Sequence, residues 1–204
     1  MTKLISMHSD SHATLMMDYF IPSVQRIGEY DLEYIKIEQV AQGDYDKDNF
    51  KDACYMKLLL IKQAIIDNFG DCVLYSDCDL VFIEPTSDFL AELISDNDAL
   101  FQRDDESICA GFIYFRCNDN MLNFINFCIE HYFEESVHDD QEMMARHIEM
   151  IKHELMPDSI CNISHFFGAK IWDGEEITIP EGIKVFHANW TIGIDNKIKL
   201  LKMI

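Results

Sequence analysis

The sequence predicts an α/β fold: a mixed, mostly parallel sheet flanked by helices. Three observations carry that expectation. From its first residues the chain alternates strand-like apolar runs with helix-like amphipathic stretches, the pattern of a sheet built through crossover connections. Two runs, Cys72-Val73-Leu74-Tyr75 and Leu80-Val81-Phe82-Ile83, read as strands buried on both faces. Between them stands Asp77-Cys78-Asp79, acidic side chains at the end of a buried strand, where α/β sheets bind ligands and carboxylates hold cations.

In chain order, residues 3–7 form a first strand, with His8-Ser9-Asp10-Ser11-His12 as the loop at its C-terminal end. A helix over 13–27 places Leu15, Met16, Tyr19, Phe20 and Val24 at roughly helical spacing, kinked at Pro22. Residues 32–37 alternate apolar and charged, which suits an exposed strand and completes the opening of a Rossmann-like sheet. A helix over 52–69 is closed by Gly70, with Tyr55, Met56, Leu58, Leu59 and Ile61 as its apolar face. Pro85 ends the extended segment after Asp79, and Ser87 or Asp88 caps a helix through 94. Strands at 99–102 and 110–115 flank a polar turn at 103–107, and helices follow at 121–133 and 139–152. Their Phe124, Phe127, Tyr132, Met143, Met144 and Met150 read as core. A last strand spans 183–186, with His187 just beyond it.

At 204 residues, 49% hydrophobic and 12% aromatic, the chain reads as one domain over 1–204, with no linker or repeat. The N-terminus is too short in its apolar part for a signal peptide, and no stretch reaches the ~20 apolar residues of a membrane helix. A soluble, cytoplasmic protein is the expectation. The seven cysteines are odd in number, sit mostly in apolar runs and form no CxxC pair, which points to reduced core thiols rather than zinc. A net charge of −21 argues against nucleic acid and anionic membrane as partners. An anionic small substrate requires a metal or a few focused cations to cancel that charge locally.

Asp-x-Asp alone is a weak signal, expected about twice by chance in so acidic a chain. Asp44-Tyr45-Asp46, Asp46-Lys47-Asp48 and Asp96-Asn97-Asp98 lie in polar, turn-like stretches and read as solvated loops. Only the copy at Asp77 follows a buried strand.

Taken in order, five segments resemble the nucleotide-diphospho-sugar transferases, glycosyltransferases of the A-type fold with an Asp-x-Asp motif. They are Lys57 in the preceding helix; Val73 through Phe82 with Pro85 after it; Cys109-Ala110-Gly111-Phe112-Ile113-Tyr114-Phe115-Arg116; Asp139-Asp140-Gln141; and His187-Ala188-Asn189-Trp190-Thr191-Ile192-Gly193 with Lys197. The resemblance implies hexosyl or deoxyhexosyl transfer from a nucleotide-diphospho-sugar, UDP-linked, to a hydroxyl of a saccharide or glycoconjugate, with Mn²⁺ or Mg²⁺. The short chain leaves little room for acceptor binding, so either the acceptor is small or a partner helps to hold it.

The chemistry fits this set. Breaking a sugar–diphosphate bond leaves a nucleoside diphosphate of growing negative charge, which a divalent cation stabilises as a Lewis acid. Two carboxylates and an imidazole are suitable ligands, the nitrogen tilting the choice toward Mn²⁺. Asp79 and His187 are the expected direct ligands. By resemblance, Asp77 meets the ribose, or the metal through water. Gly193 lets the backbone approach the diphosphate, and Lys197 supplies a cation to it. Lys57 reads either as a surface lysine or, by resemblance, as a contact to phosphates or donor sugar. His8, Ser9 and Asp10 are either a plain loop or contacts to the nucleobase. Cys109 stands where relatives often carry Asn. Asp140 is either part of a capped helix start or a contact to the acceptor hydroxyl, as general base or orienting group. Phe166-Phe167-Gly168 and Trp172 are candidates for an acceptor groove.

Two other readings compete. Phosphatases of the haloacid-dehalogenase type also place Asp-x-Asp after a buried strand, yet near the domain start and followed by threonine, and they give His187, Gly193 and Lys197 no role. A non-catalytic nucleotide-sugar-binding module is the third.

Overall fold

The computed structural model describes residues 1–38, 50–105 and 107–204. Strand β1 (Thr2–His8) leads through a 3-10 turn at Asp10–His12 into a helical stretch, π-wound over Leu15–Phe20, that becomes α1 (Ile21–Ile27). The π-wound stretch ends just before Pro22, the position of the expected kink. Proline has no N–H to give to the preceding turn, and the Ile21 N–H reaches back five residues to Met16 O. Strand β2 (Tyr30–Lys36) then runs parallel to β1 at the sheet edge, which accounts for its polar alternation. The copies Asp44-Tyr45-Asp46 and Asp46-Lys47-Asp48 lie outside the described residues.

Helix α2 (Phe50–Asp67) buries Cys54, Lys57, Leu58, Ile61, Ala64 and Ile65, one stripe at helical spacing. The face expected from composition was rotated: Met56 is 39% exposed, and Lys57 lies on the buried side. Next come β3 (Cys72–Ser76), β4 (Leu80–Phe82) and α3 (Ser87–Leu93). Thr86, not Ser87 or Asp88, takes the N-cap position of α3. Its side chain does not cap; the Glu29 carboxylate accepts from the N–H groups of Thr86 and Ser87 instead.

Strands β5 (Ala99–Asp104) and β6 (Ser107–Arg116) extend into the expected polar turn and pair as far as Asp104 opposite Ser107. The third extra Asp-x-Asp is not a plain solvated loop. Asp98 is buried, accepting from Asn118, Asn120 and the Lys152 N–H, while Asp96 pairs with Lys152 Nζ at the surface. After α4 (Asp119–His131), α5 (Asp140–Arg146) is shorter than expected, and Met150 beyond it is 46% exposed rather than core. The remaining elements are β7 (His153–Leu155), β8 (Ile160–Asn162), α6 (Ser164–Phe167), β9 (Val185–His187) and α7 (Ile194–Leu201).

The main sheet has the order β2-β1-β3-β6-β5-β7, and only β6 runs against the others, so the sheet is mixed but mostly parallel. Alternation along β3 divides the interior. Val73 and Tyr75 face a core shared with α2, α4 and α5, whereas Leu74 faces one shared with α1 and the second sheet, β4-β9-β8. A one-residue slip would exchange these faces and bury the wrong set, so the register that places Asp77 is strongly fixed. Among the described residues no helix is long and apolar enough to cross a membrane.

Candidate metal and donor site

Two strand pairings assemble the site. Antiparallel pairing sets Leu80 opposite His187, and the Ala188 N–H donates to Asp79 O at 2.9 Å. Asp79 and His187 therefore meet although 108 residues separate them, with Nε2 of the imidazole 3.1 Å from Asp79 Oδ1. His187 is the last residue of β9, not a residue beyond it. Pairing of β3 with β6 continues past Ser76, because the Asp77 N–H donates to Gly111 O at 2.8 Å. Ligand atoms of Asp77, Asp79 and His187 all lie within 4.8 Å of one another.

Gly111 is required where this cluster closes. A Cβ there would overlap the His187 ring and stand 2.8 Å from Asp77 Oδ2. The missing side chain is what leaves space in front of the ligand atoms. Cys109, two residues earlier, turns its thiol to within 3.8 Å of His187 Nδ1.

Cations and carboxylates alternate through the cluster. Burial alone would raise the Asp79 carboxyl, but the Lys197 ammonium and the His187 imidazole hold it well below the usual carboxylate range. Burial likewise opposes an imidazolium at His187, yet the Asp79 carboxylate, with a smaller contribution from Cys109, pushes its pKa up to about 10. Lys57 stands 2.9 Å from Asp140 Oδ2 and 3.3 Å from Asp77 Oδ1. Burial opposes its charge, and the carboxylates of Asp140 and Asp77 outweigh that, so its pKa is raised well above the ordinary value. Asp140 is raised by burial, against the pull of Lys57.

Gln102 and Asp104, which had no role in the sequence reading, point into this region from β5. A register shift between Phe101 and Gln102 re-aims the strand, and the two side chains share one buried face while Arg103 faces solvent. Gln102 Nε2 donates to the carbonyls of Ile160 and Cys161, leaving Oε1 2.8 Å from His187 Nδ1. Its orientation assigns the Nδ1 proton and turns Nε2 toward Asp79.

All of these groups except Gln102, which is fully buried against the ring of His187, line a cavity of about 500 Å³ together with His8, Ser9, Gln141 and Trp190. Asp10 and Gly193 are not in its lining. Asp10 pairs with Lys36 at the surface at 2.6 Å. Gly193, at φ 85°, turns the chain into α7, and that helix delivers Lys197 to Asp79. At the start of α5, Asp139 caps by accepting from the Glu142 N–H at 2.7 Å, while Asp140 is buried against Lys57. Trp172 is only 4% exposed and belongs to the core, and neither it nor Phe166 and Phe167 reach the cavity; Ile171 and Trp190 do.

A mostly parallel α/β sheet with an acidic, imidazole-bearing pocket past the end of β3 is the architecture of the A-type glycosyltransferase fold, and three solved structures share that fold. A glycosyltransferase involved in glycosylating the major capsid of PBCV-1 superposes with TM-score 0.70 at 12% identity, over 100% of this chain and 99% of that one. The galactosyltransferase LgtC, solved with donor and acceptor sugar analogues, gives 0.62 at 12% identity over 100% and 96%. The glycosyltransferase GlyE of Streptococcus pneumoniae gives 0.53 at 12% identity over 78% of this chain, which spans 45% of that protein. No curated protein sequence matches. The nucleotide-diphospho-sugar transferase family model matches residues 17–201, and the chain belongs to that family.

Proposed function

We propose that the protein moves a sugar from a UDP-linked donor to a hydroxyl of a saccharide or glycoconjugate, with a divalent cation held by Asp77, Asp79 and His187. The observation that carries this reading is the convergence of two carboxylates and one imidazole in front of Gly111, whose missing side chain leaves the space. An oxygen–oxygen–nitrogen set suits Mn²⁺ or Mg²⁺, and the imidazole favours Mn²⁺. Bound there, the cation supplies Lewis-acid stabilisation to the charge that develops on the leaving diphosphate.

The protein's own groups do the remaining work. Lys197 and Lys57 are cations in an otherwise acidic chain and give the diphosphate local positive charge. Lys197 reaches there from the first turns of α7, which Gly193 sets beside the diphosphate. His8 and Ser9, both buried at the end of β1, contact the nucleoside; Asp10, turned to Lys36, takes no part. Asp140, ion-paired and buried, orients a sugar hydroxyl rather than acting as a free base. The seven free cysteines fit a reducing, cytoplasmic setting.

Turnover of UDP-sugars by the wild type and Asp79→Ala tests the reading. Mn²⁺-dependent hydrolysis or transfer lost in a variant that still folds supports it; undiminished activity removes Asp79 from the site.

A further inference from the structure

Asp104 is a buried carboxylate with no cation beside it among the described residues, a costly arrangement unless its acceptor oxygens are needed. Both are used. Oδ1 accepts from the Trp190 indole N–H at 2.7 Å, and Oδ2 accepts from Gln141 Nε2 at 2.9 Å. The far end of the Gln141 amide is fixed too, since its Oε1 accepts from the Ala110 N–H at 3.1 Å. Amide orientation follows from its partners: a carboxylate can only accept, and a backbone N–H can only donate. Trp190 is held as firmly. It sits at φ 49°, a left-handed conformation unusual for a bulky residue, and its carbonyl accepts from the Trp172 N–H at 2.7 Å. Asp104, Gln141 and Trp190 all line the cavity that holds Asp77, Asp79 and His187.

We propose that Asp104 is a positioning residue of the sugar transfer, fixing the Gln141 amide and the Trp190 indole in one geometry in the cavity that the carboxylate–imidazole cluster also lines. The inference rests on the transferase reading above. Its logic is that two donors converge on one side chain, so a carboxylate satisfies both and an amide satisfies one. In Asp104→Asn the new amide keeps its oxygen for one partner and turns a donor toward the other. Flipping Gln141 does not rescue it, because that sets Gln141 Nε2 against the Ala110 N–H.

The same logic gives a compensating pair. Gln141→Glu alone brings two carboxylates together. Combined with Asp104→Asn it restores every bond. The introduced amide nitrogen donates to the new carboxylate, the Ala110 N–H donates to that carboxylate as well, and the introduced amide oxygen accepts from Trp190.

The test labels the full chain with 5-fluorotryptophan, whose two ¹⁹F lines are assigned with Trp172→Phe, and measures thermal unfolding and Mn²⁺-dependent hydrolysis of UDP-glucose and UDP-galactose. We expect each single variant to move the Trp190 line and lower the melting temperature, and the pair to return both toward wild type. In Asp104→Asn, kcat should fall about tenfold or more while donor KM stays within about twofold, the pattern of lost positioning rather than lost binding. Singles that leave the Trp190 line in place, or a pair no closer to wild type than either single, overturn the clamp even where wild-type turnover is intact. A wild type that neither binds nor turns over a nucleotide sugar overturns the transferase reading, and the positioning role with it.

Discussion

Gln102 Oε1 lies 2.8 Å from His187 Nδ1, and two backbone carbonyls hold the other end of the same amide. The glutamine cannot flip without losing both of those bonds. A fully buried strand residue thus keeps the proton on Nδ1 of His187 and turns Nε2 toward Asp79. Gln102→Leu should weaken Mn²⁺ binding about 10–100-fold, the usual effect of losing the group that orients a histidine ligand. Titration calorimetry measures this directly; unchanged affinity would mean that packing alone orients the ring.

Gly111→Ala should be among the most damaging small substitutions in the chain. Its Cβ has nowhere to go between the His187 ring and the Asp77 carboxylate, both near the backbone of paired strands. Overpacking of this kind costs about 1–3 kcal/mol. Urea unfolding should show that loss together with loss of Mn²⁺ binding, whereas wild-type metal affinity would show that the ring swings clear.

Lys57→Met leaves Asp140 buried with no cation beside it. Removing one partner of a buried ion pair costs about 3–5 kcal/mol. Because Asp77 is partly exposed, most of that loss should be traceable to Asp140. Adding Asp140→Asn should therefore recover much of the stability, as read from denaturant midpoints; no recovery would place the lysine's contribution elsewhere.

Metal-free protein should lose stability as the medium becomes alkaline. His187 holds its proton up to about pH 10 when folded, against an ordinary 6.5. A group whose folded pKa is raised stabilises the fold fully below its unfolded value, and that contribution is lost as pH rises through the folded one. The wild-type urea midpoint in EDTA should fall between pH 7 and about 10, and His187→Gln should show a flatter profile over that interval. Parallel profiles would remove His187 as the cause.

Much of the fold was legible because β3 is buried on both faces and announces itself as an apolar run, and because α2 is long and closed by Gly70. Asp77, Asp79 and His187 were legible from that setting and from family resemblance. The apolar face of α2 was read with Tyr55 and Met56, which left Lys57 open between a surface lysine and a site contact, whereas counting from Cys54 by three and four lands on Lys57, Leu58 and Ile61. Gln102 and Asp104 were hidden for another reason. Each is a polar residue in a strand read as ending at a turn, and the bulge that re-aims them has no mark in the sequence. Strands β7 and β8, three residues each, are too short to show a period, and they become strands only by pairing with β5 and β9.

The most direct test of the central claim is calorimetric titration of UDP into wild type and Asp79→Ala, each with Mn²⁺ and again in EDTA. Wild type should bind UDP with Mn²⁺, and that binding should be lost in EDTA or in the variant. Equal UDP affinity in all four titrations would contradict that claim.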